Sequence, residues 1–87
     1  MYEIVYTKSA KEQISLLKSA GLADKTKALI EVLRENPYKI PPSYEKLKGN
    51  LEGAYSRRIN IKHRLVYQVY EDTKTVKVIS MWTHYEF

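Results

Sequence analysis

At 87 residues the chain has room for one modest core, because domains of about 60 residues bury only roughly 60 per cent of the surface their unfolded chains expose. Fifteen Lys and Arg against ten Asp and Glu give a formal net charge of +5, and the absence of cysteine excludes disulfides and thiolate metal sites. The N-terminal "MYEIVYTKSAKEQ" has no charged leader followed by an apolar run, and nowhere does an apolar run reach membrane-spanning length. These features lead us to expect one cytoplasmic domain over residues 1–87 that does not enter a membrane.

In chain order, Tyr2 to Tyr6 ("YEIVY") is short and β-rich and predicts a first strand. Ser9 followed by Glu12 fits a capping box, after which Ala10, Ile14, Leu17 and Gly21 recur at helical spacing. Gly21 suits the left-handed stop of that helix. Asp24 can cap a second helix with an apolar stripe of Ala28, Leu29, Val32 and Leu33, and Asn36-Pro37 ends it. "PYKIPPSY", with three prolines, predicts an irregular connection. Three strands follow: "AYSRRIN", then "HRLVYQVYE" after a turn near Ile61-Lys62, then "TVKVISMWTHY" after the turn Glu71 to Lys74. In the middle strand, alternation sends Leu65, Tyr67 and Val69 to one face, and Arg64, Val66, Gln68 and Tyr70 to the other. The expected class is α+β in the order β-α-α-β-β-β, with a helical hairpin covering one sheet face and the other face open.

Charge is unevenly spread along this plan. From Tyr44 to Tyr67 there are six cations (Lys46, Lys48, Arg57, Arg58, Lys62, Arg64) against Glu45 and Glu52, a net of +4 out of +5. A basic stretch of this kind is the footprint of a polyanion such as RNA, or else a solvated face. RNA can be cleaved without a metal, because the nucleophile is the substrate's own 2′-hydroxyl. The protein supplies a base, cations for the charge on phosphorus, and an acid for the leaving 5′-oxygen. Glu45, Lys48, Arg58, Arg64 and either His63 or His84 are the right types for those roles. Each has a plainer reading. Glu45 can pair with Lys48 or Arg58, His63 beside a turn can be structural, and Tyr55, Tyr67 and Tyr70 can pack rather than stack on bases. Arg57, pointing away from Arg58, reads as a partner contact or surface charge. Two histidines and no HExxH arrangement give no metal site, Glu71 and Asp72 belong to a turn, and there is no glycine-rich nucleotide loop or GxSxG elbow.

The stretch "EKLKGNLEGAYSRRINIKHRLVYQV" with a terminal "HY" resembles the Txe/YoeB family of bacterial toxins in the RelE superfamily. The resemblance covers the C-terminal half; the N-terminal half agrees only in its strand-helix-helix plan. It implies a RelE-like fold and a ribosome-dependent mRNA endoribonuclease. Such a toxin acts at the ribosomal A site without metal or cofactor, leaves a 2′,3′-cyclic phosphate and inhibits translation. By position, it implies Glu45 as general base, His84 as general acid and Arg64 as the transition-state arginine. Arg58, Lys48 and Tyr85 would be RNA- or phosphate-binding. The implied partners are a YefM/Axe-like antitoxin with an acidic tail, the ribosome and mRNA, with a homodimer left open and operator DNA reached only through the antitoxin complex. Two departures stand out: Glu86 and Phe87 extend past Tyr85, and Met81-Trp82-Thr83 replaces a segment that is more basic in some relatives. The competing readings are a non-catalytic inhibitor on the same scaffold, as in ParE-like gyrase poisons, and a nucleic-acid-binding co-repressor.

Overall fold

The computed structural model describes residues 1–82. Strand β1 (Glu3–Tyr6) leads into helices α1 (Lys8–Glu12), α2 (Ile14–Ser19) and α3 (Ala23–Glu35). Strands β2 (Glu45–Lys46), β3 (Ala54–Arg58), β4 (Arg64–Tyr70) and β5 (Thr75–Ser80) follow. The five strands form one sheet in the order β1-β5-β4-β3-β2; β1 runs parallel to β5 and every other neighbour is antiparallel. The α+β class and the helices-on-one-face plan are as expected. The two-residue β2 and the division of the first helix are additions.

The helix starts follow local hydrogen bonding that the sequence pattern misassigned. Thr7, not Ser9, caps α1: its Oγ1 accepts from the Ala10 N–H at 3.1 Å while its hydroxyl donates to the Ile79 carbonyl at 3.0 Å. One threonine thus satisfies an orphan helix donor and ties the helix to β5. Gln13 marks the joint between α1 and α2, and its side-chain oxygen accepts from the Met81 N–H at 2.7 Å. Leu22 rather than Asp24 stands at the start of α3, without a side-chain cap. Asp24 lies in the first turn, where a carboxylate complements the helix dipole.

The stops were legible. Gly21 takes φ +72°; the Leu22 N–H bonds the Leu17 carbonyl at 2.9 Å and the Gly21 N–H bonds that of Lys18 at 3.1 Å, a Schellman pair. Asn36 is extended before Pro37, as the proline ring requires.

The core lies between the helices and one sheet face. Ala10, Leu17, Leu29, Ile30 and Leu33 pack on Ile59, Leu65, Tyr67, Val76, Val78 and Met81. The buried stripe of α3 runs through Thr26, Leu29, Ile30 and Leu33, and Ala28 is exposed. On the opposite face a small cluster of Leu47, Ala54 and Val66, flanked by Leu51 and Ile79, roofs part of what the pattern left open. The uncovered remainder carries the charged residues.

Candidate active site on the sheet face away from the helices

Antiparallel register assembles the site. Glu45 of β2 faces Ser56 of β3. Arg58, two residues on and so on the same face, opposes Arg64 of β4. Side chains so placed have Cβ atoms about 5 Å from their cross-strand partners. With Ser43 these four residues line one cavity of about 230 Å³.

Two arginines facing each other across a strand pair repel, and such pairs detract from sheet stability. Their placement is therefore not explained by stability. Arg64 Nη1 lies 4.0 Å from Glu45 Oε1, with the Arg64 side chain 25% exposed and that of Glu45 69%. An ion pair this long and this wet holds its partners weakly. Arg64 is thus free to turn to a stronger anion. A phosphodiester entering the cavity would meet two guanidinium forks and one carboxylate, which suits phosphate binding beside a proton acceptor.

The expected residues divide as follows. Glu45, Arg58 and Arg64 come together. Lys48 does not line that cavity; it is exposed just before the short 3₁₀ turn Gly49–Leu51 and shares a neighbouring hollow with Glu45, Lys46 and Leu47. His84 and Tyr85 lie outside the described residues. His63 has a structural role: its ring stacks on Trp82 with centroids 3.9 Å apart and planes at 18°, and Nδ1 bonds the Trp82 carbonyl. A carbonyl only accepts, so Nδ1 carries the proton. This contact ties down the chain two residues before His84.

Arg57 corrects the reading of a surface charge. It does point away from Arg58, but it is fully buried on the helix side of the sheet. Its Nε donates to Tyr67 Oη at 3.0 Å and Nη2 to the Pro37 carbonyl at 2.8 Å, while Nη1 donates to the Pro42 carbonyl. The guanidinium carbon also sits 5.1 Å from the Tyr44 ring centre. Arg57 thus clamps both ends of the proline-rich connection that delivers Glu45. Tyr55 and Tyr67 stack at 5.7 Å in the same layer, so neither is available to bases from the charged face. Burial raises the Tyr67 hydroxyl pKa, with Arg57 opposing, and the protonated hydroxyl donates to Pro37 at 3.0 Å.

A second, larger cavity of about 420 Å³ lies among α2, α3 and β1, with Leu17, Ile30 and Met81 in its walls. Its charged residues are Lys18, Lys27, Glu31 and Arg34. It lacks the carboxylate-facing-arginines arrangement. The carboxylate and the two arginines line the smaller cavity.

Comparison with known proteins agrees with the geometry. The sequence model describing the YoeB-like toxin of bacterial type II toxin-antitoxin systems matches residues 4–85. The chain belongs to that family. A Toxin YoeB from Synechocystis is 40% identical over 58 residues, which is 67% of this chain and 65% of that protein. The match thus spans somewhat under two thirds of that relative's length. The YoeB/ParE toxin from Agrobacterium tumefaciens superposes with a TM-score of 0.86 at 30% identity, covering 95% of this chain and 99% of that one. The toxin in a heterotetrameric YoeB-YefM complex from Staphylococcus aureus gives 0.80 at 33% identity, covering 98% and 99%.

In this YoeB-like toxin the motif that carries the resemblance maps onto the site: "EK" is β2, "SRR" ends β3 and, after His63, "RLVY" opens β4. Ser43 and Ser56 also line the cavity and were not foreseen. For Ser56 a signal existed, since it lies two residues before Arg58 and shares its face.

Proposed function

We propose that this toxin is a ribosome-dependent endoribonuclease that cleaves mRNA in the ribosomal A site and so inhibits translation. The observation that carries the reading is the convergence of Glu45, Arg58 and Arg64 on one cavity in a chain of the YoeB-like family. Glu45 accepts the proton of the 2′-hydroxyl as it attacks phosphorus. Arg64 and Arg58 neutralise the charge that builds on the phosphoryl oxygens, where fixed donors have most effect. His84 protonates the departing 5′-oxygen, leaving a 2′,3′-cyclic phosphate without a metal or cofactor. Lys48, in the neighbouring hollow, and Tyr85, next to His84 in sequence, contact the RNA. The chain acts as one domain over residues 1–87 in the cytoplasm. A YefM-like antitoxin, of the kind complexed with the S. aureus relative, restrains it, and operator DNA is reached only through that complex.

Primer extension on a defined mRNA in a reconstituted translation reaction tests this, with and without ribosomes. Ribosome-dependent cuts at the A-site codon are expected for the wild type. His84→Ala should cut 10²–10⁴-fold more slowly, the usual contribution of a positioned acid or base, while still binding ribosomes. Stalled translation with intact mRNA would instead favour a non-catalytic inhibitor.

A further inference from the structure

Among the described residues, Ser56 Oγ is the buried side-chain polar atom without a hydrogen-bond partner. The residue is 2% exposed and lines the cavity with Glu45, Arg58 and Arg64. Native proteins seldom leave a buried hydroxyl unpaired, and one that persists calls for an explanation. Packing does not provide it. Ala54 precedes Ser56 by two residues on the same face and Val66 stands opposite on β4, both in the apolar cluster. Alanine would continue that cluster at no polar cost. What serine adds is the hydroxyl.

Glu45 is the residue across from it. In the free protein, Glu45 has one charged partner among the described residues, Arg64 at 4.0 Å. Arg64 is also one of the two arginines a phosphate would recruit, and a phosphate draws its fork more strongly than a loosely held carboxylate. Once Arg64 turns, Glu45 is left on an exposed two-residue strand with nothing to fix its side chain. The other cations nearby do not replace Arg64. Arg58 also faces the phosphate, and Lys46 and Lys48 line a separate hollow together with Glu45 and Leu47, not the cavity that holds Ser56.

We infer that Ser56 is a positioning residue for RNA cleavage: when phosphate draws Arg64 away, the Ser56 hydroxyl donates to the Glu45 carboxylate and holds it against the 2′-hydroxyl. The hydroxyl is unpaired in the free protein because its partner is then turned toward Arg64. Substrate binding completes the bond, so Ser56 acts on turnover rather than on folding or substrate affinity. This inference rests on the ribonuclease reading of the same cavity.

Steady-state cleavage of ribosome-bound mRNA, together with melting temperatures, tests it with Ser56→Ala, Ser56→Thr and Glu45→Gln beside the wild type. Ser56→Ala should lower kcat about tenfold, a share of the 10²–10⁴-fold worth of a placed base. It should leave KM within twofold and melt at or above the wild-type temperature. Ser56→Thr, which keeps the hydroxyl, should regain most of kcat. The inference is overturned if Ser56→Ala turns over at the wild-type rate, if its loss falls on KM, or if a properly folded Ser56→Thr is as slow as alanine. An inert wild type, or a Glu45→Gln as fast as it, would sink the ribonuclease reading and Ser56 with it. A slow Glu45→Gln beside a fast Ser56→Ala removes Ser56 alone.

Discussion

Three consecutive residues, Ser56, Arg57 and Arg58, carry three different burdens because strand alternation sends them to opposite faces. Arg58 stays exposed on the charged face, whereas Arg57 is buried among carbonyls and tyrosines, with no carboxylate beside it among the described residues. A buried cation is tolerated only when its donors are spent, and here the planar fork reaches three acceptors that an ammonium cannot match. Arg57→Lys should therefore cost about 3 kcal/mol, the upper end for leaving buried polar groups unsatisfied, seen as a lower urea midpoint. Unchanged stability would mean that the clamp is dispensable. The direction of Arg57 was legible from its neighbour's parity. Its burial was not, because the acceptors come from Pro37 and Pro42, fifteen to twenty residues upstream. Only the unusual density of prolines and tyrosines in that stretch hinted at a polar anchor.

At the scale of elements, the connection from α3 to β2 is held by an aromatic layer of Tyr38, Tyr44, Tyr55 and Tyr67, packed ring to ring. Burial pushes the Tyr38 hydroxyl up to about 12 and raises that of Tyr67 as well. A phenol whose folded value exceeds its unfolded value near 10 keeps its proton longer in the native state. Its stabilising contribution is full below pH 10 and is lost as the pH climbs from 10 towards 12. The urea midpoint should accordingly fall across that window, and Tyr38→Phe should flatten the fall. A midpoint constant through pH 11 would contradict the picture. Helix stops were readable because Gly21 and Pro37 act through their own backbone. Helix starts were not, since the Thr7 hydroxyl serves the Ile79 carbonyl as well as the helix, a contact that exists only once β5 is in place. β2 was missed for a similar reason: two residues carry no periodicity, and Glu45–Lys46 is a strand only because β3 lies beside it.

For the molecule as a whole, the charge concentrated between Tyr44 and Tyr67 is divided by the sheet. Arg57 is consumed inside, and Arg58 and Arg64 remain on the face away from the helices. Affinity for single-stranded RNA on that face should fall with salt, by a slope of about 0.7 per phosphate neutralised. Arg58→Ala should lower the slope by about that amount in anisotropy titrations with an uncleavable 2′-deoxy oligonucleotide, whereas a change at Arg57 should act through stability. The fold and the trio Glu45, Arg58 and Arg64 were legible because the motif preserves both residue type and register. For Ser56 only the face was legible, from its spacing to Arg58; that its hydroxyl is buried without a partner shows only once the strands are packed. If Glu45 is the base for attack by the 2′-hydroxyl, single-turnover cleavage of ribosome-bound mRNA, with analysis of the new 3′ ends, will reveal it. Wild-type products should end in a 2′,3′-cyclic phosphate, and Glu45→Gln should form them at least about 100-fold more slowly. Products ending in a 3′-hydroxyl, or a Glu45→Gln as fast as the wild type, would exclude Glu45 as that base.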